Sequence, residues 1–160
     1  MSKSGVATLF GTKERLQLAT VEAAAERFRE AVMFPARVEP RGIRRIALLL
    51  DLWIAYSRDR IFPGGCFFAA TSVEFSHRPG PVRDRIEEML RSWLSYLEHA
   101  VEQAQEAGEL VDTLSAREIT FELDSFGMAA NWQYRVFGDA AVYDNARRAI
   151  RERLESLRPA

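Results

Sequence analysis

Apolar residues recur along most of this chain at intervals of three and four, the spacing that gathers them on one face of an α-helix. Leu16, Thr20, Ala23, Ala24 and Phe28, continuing to Ala31 and Val32, predict a first long helix. Thr12 suits its N-cap, and Pro35 stops it. A second helix is predicted from about Pro40–Gly42 to Arg58. Its residues Ile43, Ile46–Leu50, Leu52–Ile54 and Tyr56 are apolar nearly all round, which predicts a place in the middle of a bundle. Phe62-Pro63-Gly64-Gly65 reads as a turn, Cys66–Ser76 as a short apolar helix, and His77–Pro81 as a second break.

From Pro81 a long helix carries the stripe Val82, Ile86, Met89/Leu90, Trp93, Leu97, Ala100/Val101 and Ala104, and Gly108 ends it. Ser115 precedes Glu118 by three residues, the spacing of a capping box. The helix it opens has one stripe of Ile119, Leu123, Phe126 and Ala130. A second stripe holds Phe121, Met128 and Trp132, and Gly138 closes the helix. Asp139 can cap a last helix with Val142, Ala146, Ala149/Ile150, Leu154 and Leu157. Only Leu110–Leu114 alternates with period two. The chain is therefore expected to be all-α, with six or seven helices and no repeats. The last two helices carry more apolar positions than one buried stripe needs, which predicts a homodimer through them.

Composition narrows the class. A chain of 160 residues, 48% hydrophobic and 28% charged, is one ordinary globular domain. No apolar run is long enough for a transmembrane helix, and no apolar segment follows the polar start as in a signal peptide. The single cysteine, Cys66, excludes an internal disulfide and a multi-cysteine zinc site, so the cytoplasm is the expected compartment. Net charge is −1, but it is unevenly spread: residues 1–45 carry nine Lys/Arg against five Glu. A basic head on an acidic body is weak evidence for contact with a polyanion.

Enzymatic chemistry leaves no trace in the pattern. His77 and His99 lie far apart, and none of the familiar metal, phosphate or nucleophile motifs occurs. Glu98, Glu102, Glu106, Glu109 and Asp112 read as a solvated acidic face. Glu122 and Asp124, two apart on a helix, do not form a carboxylate pair. Cys66 opens a helix, where a thiol pKa can fall, yet a buried structural cysteine is the stronger expectation. No catalytic residue, metal or cofactor is expected, and a binding module is favoured over an enzyme.

The head is more informative. Residues 2–16 read as a short helix, a glycine turn and a new helix. Ser2, Lys3, Ser4, Gly5 and Thr8 offer small polar groups on a slim scaffold, as a major-groove reader requires. Lys13, at the next helix start, would sit near a phosphate. Ser2, Gly5, Phe10, Gly11, Lys13 and Leu16 resemble the recognition-helix-to-linker pattern of the TetR family of transcriptional regulators. Gly65–Ala70, Glu74-Phe75 and Arg78–Asp84 look like the ligand-domain region of one TetR subgroup. Ala130–Arg135 with Phe137-Gly138-Asp139 look like its penultimate helix.

The resemblance implies a homodimer with a helix-turn-helix head and a helical body that holds an effector and dimerises through its last two helices. Against that pattern, residues 1–12 are a partial helix-turn-helix that begins at the recognition helix. Residues 13–160 are the linker helix plus the effector and dimerisation domain. The implied function is a DNA-binding repressor released by a small molecule; the alternative is a dimeric ligand-binding domain that no longer binds DNA. Aromatic content on the central helices nominates Phe28, Leu49, Trp53, Phe67, Phe68, Met89, Trp93, Met128 and Trp132 as the effector pocket. With no buried-looking Arg or Lys, a neutral or weakly polar aromatic or aliphatic effector is expected. Phe121, Phe126, Phe137, Tyr143, Ile150 and Leu154 are nominated for the dimer interface.

Overall fold

A computed structural model describes residues 11–59, 61–62 and 64–159. Ser2, Lys3, Ser4, Gly5 and Thr8 therefore lie outside the described residues, as does most of the expected recognition-helix remnant. Among the described residues there are six α-helices and no strand: α1 Lys13–Phe28, α2 Ile43–Arg58, α3 Phe67–Phe75, α4 Pro81–Glu106, α5 Ala116–Phe137 and α6 Ala141–Ser156. The Leu110–Leu114 stretch is loop, not strand.

Helix ends follow the local chemistry. The Thr12 hydroxyl accepts from the Arg15 amide at 3.2 Å. Ser115 and Glu118 form the complete capping box. Gly138 ends α5 with φ +72, a left-handed conformation that disfavours side chains. The Asp139 carboxylate accepts from the Ala141 amide at 2.9 Å. The first turn of α2 is capped from a distance: Glu109 Oε2 accepts from the Ile43 amide at 2.7 Å. Glu109 thus departs from the solvated acidic face on which its spacing placed it.

α1 does not simply stop before Pro35. It widens into a π-helical turn over Arg29–Met33, where the Phe34 amide donates to the Arg29 carbonyl at 2.9 Å. Its buried stripe is Val21, Ala24, Ala25, Phe28 and Val32. Thr20 and Ala23, expected on that stripe, are exposed.

α2 occupies the centre, against the π turn, α4, α5 and α6. Ile46, Leu49, Leu50 and Ile54 are fully buried there, with Leu97 and Val101 of α4 and Ile119 and Leu123 of α5. α5 and α6 form an antiparallel pair whose inner face contains Tyr143, Ile150 and Leu154. These three were expected at a dimer interface. The tight α2–α5–α6 packing consumes them instead, and Tyr143 is ring-to-ring with Tyr134 at 5.2 Å.

One contact sets the spacing of α2 and α5. Gly127 faces Trp53, and a Cβ at that glycine would lie 2.2 Å from the indole. Only a residue without a side chain lets the indole lie against the helix backbone. Gly127→Ala is expected to destabilise the fold by about 1–2 kcal/mol in urea denaturation, overlap outweighing the roughly 1 kcal/mol of helix propensity that alanine adds.

Candidate functional site

Between α1, α2, α3, α4 and α5 lies a cavity of about 240 Å³. Ala25, Phe28, Arg29 and Met33 line it from α1 and the π turn; Trp53 lines it from α2. Cys66, Phe68, Ala69 and Ser72 come from the α3 region, and Met89, Leu90, Ser92, Trp93 and Leu94 from α4. Asp124 and Met128 complete it from α5.

The aromatic wall is a network of edge contacts. Phe28 meets Trp93 at 5.2 Å, Tyr56 at 5.4 Å and Phe68 at 6.3 Å, each near perpendicular. Trp53 and Trp93 are 5.3 Å apart and tilted. Such pairs prefer edge-to-face geometry because the ring edge is positive and its face negative. The rings hold one another in place, so the cavity is stiff on this side.

A buried amide fixes the other side. Asn131 on α5 accepts at Oδ1 from the Cys66 amide at 3.0 Å and donates through Nδ2 to the Gly127 carbonyl at 3.0 Å. The Tyr143 hydroxyl donates to the same oxygen at 3.4 Å. Gly65 has φ +91, and a Cβ there would sit 2.8 Å from Asn131 Oδ1. The turn before α3 is thereby pinned to α5, and it delivers Cys66 and Phe68 to the cavity. Burial pushes the Cys66 thiol up, so it is an inert wall residue and not a reactive one.

Two charged side chains line the cavity. Arg29 is held at its rim by Glu26 (Nε–Oε2 3.2 Å). Asp124 accepts at Oδ1 from the Trp93 indole N–H at 2.9 Å. Burial pushes this carboxyl above its ordinary range, and the indole bond only partly opposes that. Asp124 and Leu94 also line a groove on the outer side of α4 and α5, with Arg91, Ser95, Glu98, Arg117, Thr120 and Phe121. Thr120 is only 4% exposed, and its hydroxyl has no hydrogen-bond partner among the described residues.

The sequence-based pocket set divides cleanly. Phe28, Trp53, Phe68, Met89, Trp93 and Met128 meet at the cavity. Leu49 does not: it is solid core at 0% exposure. Phe67 packs on Phe62 and Phe68, each at 5.3 Å, outside the lining. Trp132 points away, 60% exposed, beside Phe137. Arg29 and Asp124 are the functional candidates that sequence reasoning missed. Arg29 belongs to the π turn, which rotates its face relative to a regular helix. Asp124 follows the buried Leu123 and lies four residues before Met128, a signal that was present in the helical spacing.

Of the dimer set, Phe121 and Phe137 are exposed at 73% and 69%, and Phe126 lines a shallow α5–α6 groove with Ala129, Ala130, Gln133, Val142, Asn145, Ala146 and Ala149. Lys13 is the one DNA candidate among the described residues, exposed at the start of α1 beside Arg78 and Arg83. No group of three potential metal ligands occurs among the described residues, and no described helix is long and apolar enough to cross a membrane.

The described residues form a bundle of helices around a partly open aromatic cavity. Residues 42–150 match the tetracyclin repressor-like, C-terminal domain family, and the chain belongs to it. Solved structures agree in fold. A TetR transcriptional regulator from Chloroflexus aurantiacus J-10-fl is 21% identical with a TM-score of 0.85, covering 94% of this chain and 76% of that one. A TetR-family transcriptional regulator from Streptomyces coelicolor is 16% identical with a TM-score of 0.77, covering 99% and 80%. AibR, solved with isovaleryl coenzyme A and operator DNA, is 17% identical with a TM-score of 0.73, covering 92% and 79%. No curated protein matches significantly.

The position of Asp124 has a measurable consequence for stability. The folded chain holds this proton more tightly than the unfolded chain does, so ionisation penalises the folded state. Stability contributed by the protonated group is full below the unfolded value of about 3.9 and is lost as pH rises through the folded value. Asp124→Asn escapes that loss while keeping an acceptor for Trp93. Urea denaturation is expected to show the variant gaining on wild type between about pH 4 and pH 7.

Proposed function

We propose that this chain is the effector-binding and dimerisation part of a TetR-type repressor whose DNA affinity is lowered by a small molecule in the aromatic cavity. The observation that carries this reading is the shared wall. Ala25, Phe28, Arg29 and Met33 belong to α1 and its π turn. By family resemblance α1 is the linker helix that leads to the DNA-reading head, and Lys13 begins it. A molecule filling the cavity therefore presses on the element that carries the head. It shifts DNA affinity only through its preference between the head's two placements.

The second contact of α1 supports a lever. Arg85 of α4 grips Glu22 with two nitrogens, one bond being Nη2–Oε2 at 2.8 Å. The exposed pair alone adds little stability. It marks where α1 rides on α4, one side of which is cavity wall. AibR, a neighbour of the same fold, was solved with both a small-molecule ligand and operator DNA, consistent with such coupling.

N-phenylnaphthylamine, a neutral dye that brightens in apolar surroundings, tests the cavity. Saturable binding of one dye per chain is expected, and Ser72→Phe, which fills the cavity from α3, is expected to abolish it with helicity intact. With DNA flanking the gene, the same dye is expected to weaken a salt-sensitive complex severalfold. No complex, or one indifferent to the dye, overturns the repressor reading and leaves a dimeric ligand-binding domain.

The α5–α6 groove and the exposed Phe137 are the proposed dimer surface. Ala129 is exposed on that groove, so Ala129→Arg places a charge there without touching the core. Sedimentation is expected to show a dimer for the wild type at micromolar concentration and a monomer for the variant. A wild-type monomer would remove the dimer from the proposal.

A further inference from the structure

Asp124 is the one carboxylate in a cavity wall whose other polar side chains are Arg29, Ser72 and Ser92, and that carboxylate is under-satisfied. An ionised carboxylate offers about four acceptor positions. Asp124 receives one protein donor, the Trp93 indole at 2.9 Å. The charged groups nearest in the fold are Arg29 on the π turn, Arg91 and Glu98 on α4, and Arg117 on α5. Among the described residues none of the three arginines forms an ion pair with Asp124, and Arg29 is taken by Glu26. One turn earlier on the same helix, the Thr120 hydroxyl is buried without a partner and lines the groove on the other face of Asp124. Thr120 stays on the groove side, outside the cavity lining, and among the described residues no cation of the protein answers Asp124.

A carboxylate in a low-dielectric wall lacks a counter-charge, and a bound cation supplies it. The faces of Trp53 and Trp93 add attraction for positive charge. Resting on the reading of this cavity as the effector site, we propose that the effector is a cationic amine: its ammonium seats on Asp124, and its compact apolar body fills the space among Phe28, Trp53, Phe68 and Trp93. An ammonium has three donors, which suits the open acceptor positions of the Asp124 carboxylate and water. This changes the ligand class expected from composition, which was neutral. Arg29, already neutralised by Glu26 at the rim, does not redirect the site toward an anion.

Three probes of one shape separate the charge from the body: phenylbutylamine, phenylbutanol and phenylbutyrate, titrated by calorimetry into the full chain at about pH 7. The amine is expected to bind about tenfold tighter than the alcohol, a difference of about 1.4 kcal/mol. The butyrate is expected to bind weakest. Asp124→Asn should bring amine and alcohol to within about twofold, the amine losing most of its advantage. Between about pH 4 and pH 8 the amine keeps its proton, so its affinity for the wild-type chain should rise as Asp124 ionises and the alcohol's should stay flat. That titration needs no variant and decides the matter if Asp124→Asn misfolds.

An alcohol or butyrate that binds as well as the amine overturns the cationic class and leaves the cavity as an effector site. So does an amine affinity that ignores pH. Failure of all three probes together with the neutral dye overturns both the class and the site.

Discussion

The site depends on one buried side chain amide. Asn131 accepts from the Cys66 backbone and donates to the Gly127 carbonyl, joining the turn before α3 to the middle of α5. Gly127 is also where Trp53 rests against α5. One residue therefore registers α3 against α5 beside the glycine that registers α2. A buried backbone N–H without a partner costs about 1–3 kcal/mol, so the turn has no comparable alternative once Asn131 is in place. The aromatic network is downstream of this junction. Phe68 reaches Phe28 because α3 begins where it does, and Trp93 reaches Trp53 because α2 packs on α4.

That junction also explains why two separated stretches of sequence share one resemblance. Gly65–Ala70 and Ala130–Arg135 lie about sixty residues apart, yet Gly65, Cys66 and Asn131 are in contact. Gly65 is required twice, by its positive φ and by the nearness of Asn131 Oδ1. The helices were legible because their signals are local: the Thr12 cap, the Ser115–Glu118 box, Gly138, and the α4 stripe from Val82 to Ala104. Six of the nine nominated residues line the cavity because large apolar side chains on central helices have few other places to go. The errors came from long-range packing. Periodicity marks Leu49, Tyr143, Ile150 and Leu154 as apolar but does not say which buried face meets a hollow, a neighbouring helix or another chain. The π turn at Arg29–Met33 breaks the 3.6-residue rule on which any helical projection of that segment rests.

The same turn shapes the cavity wall. A π turn holds one more residue per turn than an α-helix and is retained where a side chain must be aimed. Here it brings Arg29 and Met33 to the cavity while Phe28, just before it, stays in the aromatic network. Pro35 follows after Phe34, donates no backbone N–H, and opens a 3-10 turn over Pro35–Val38. Phe28 against Trp93 ties the end of α1 into the same aromatic network that Trp53 shares with α5 through Gly127.

A cavity with a lone carboxylate in its wall is a poor solution to the problem of folding. Leucine or methionine at position 124 would remove the desolvation penalty and fill space, and buried charges replaced by apolar groups often leave a fold more stable. The indole bond from Trp93 offsets part of the penalty but does not neutralise the charge. Local rules of packing are most often broken where binding requires it. The unsatisfied Thr120 hydroxyl breaks the same rule one turn away, on the groove side. A carboxylate in the cavity wall with a single protein donor is most simply accounted for by a donor that arrives from outside. A cation is the donor whose charge also cancels that of Asp124.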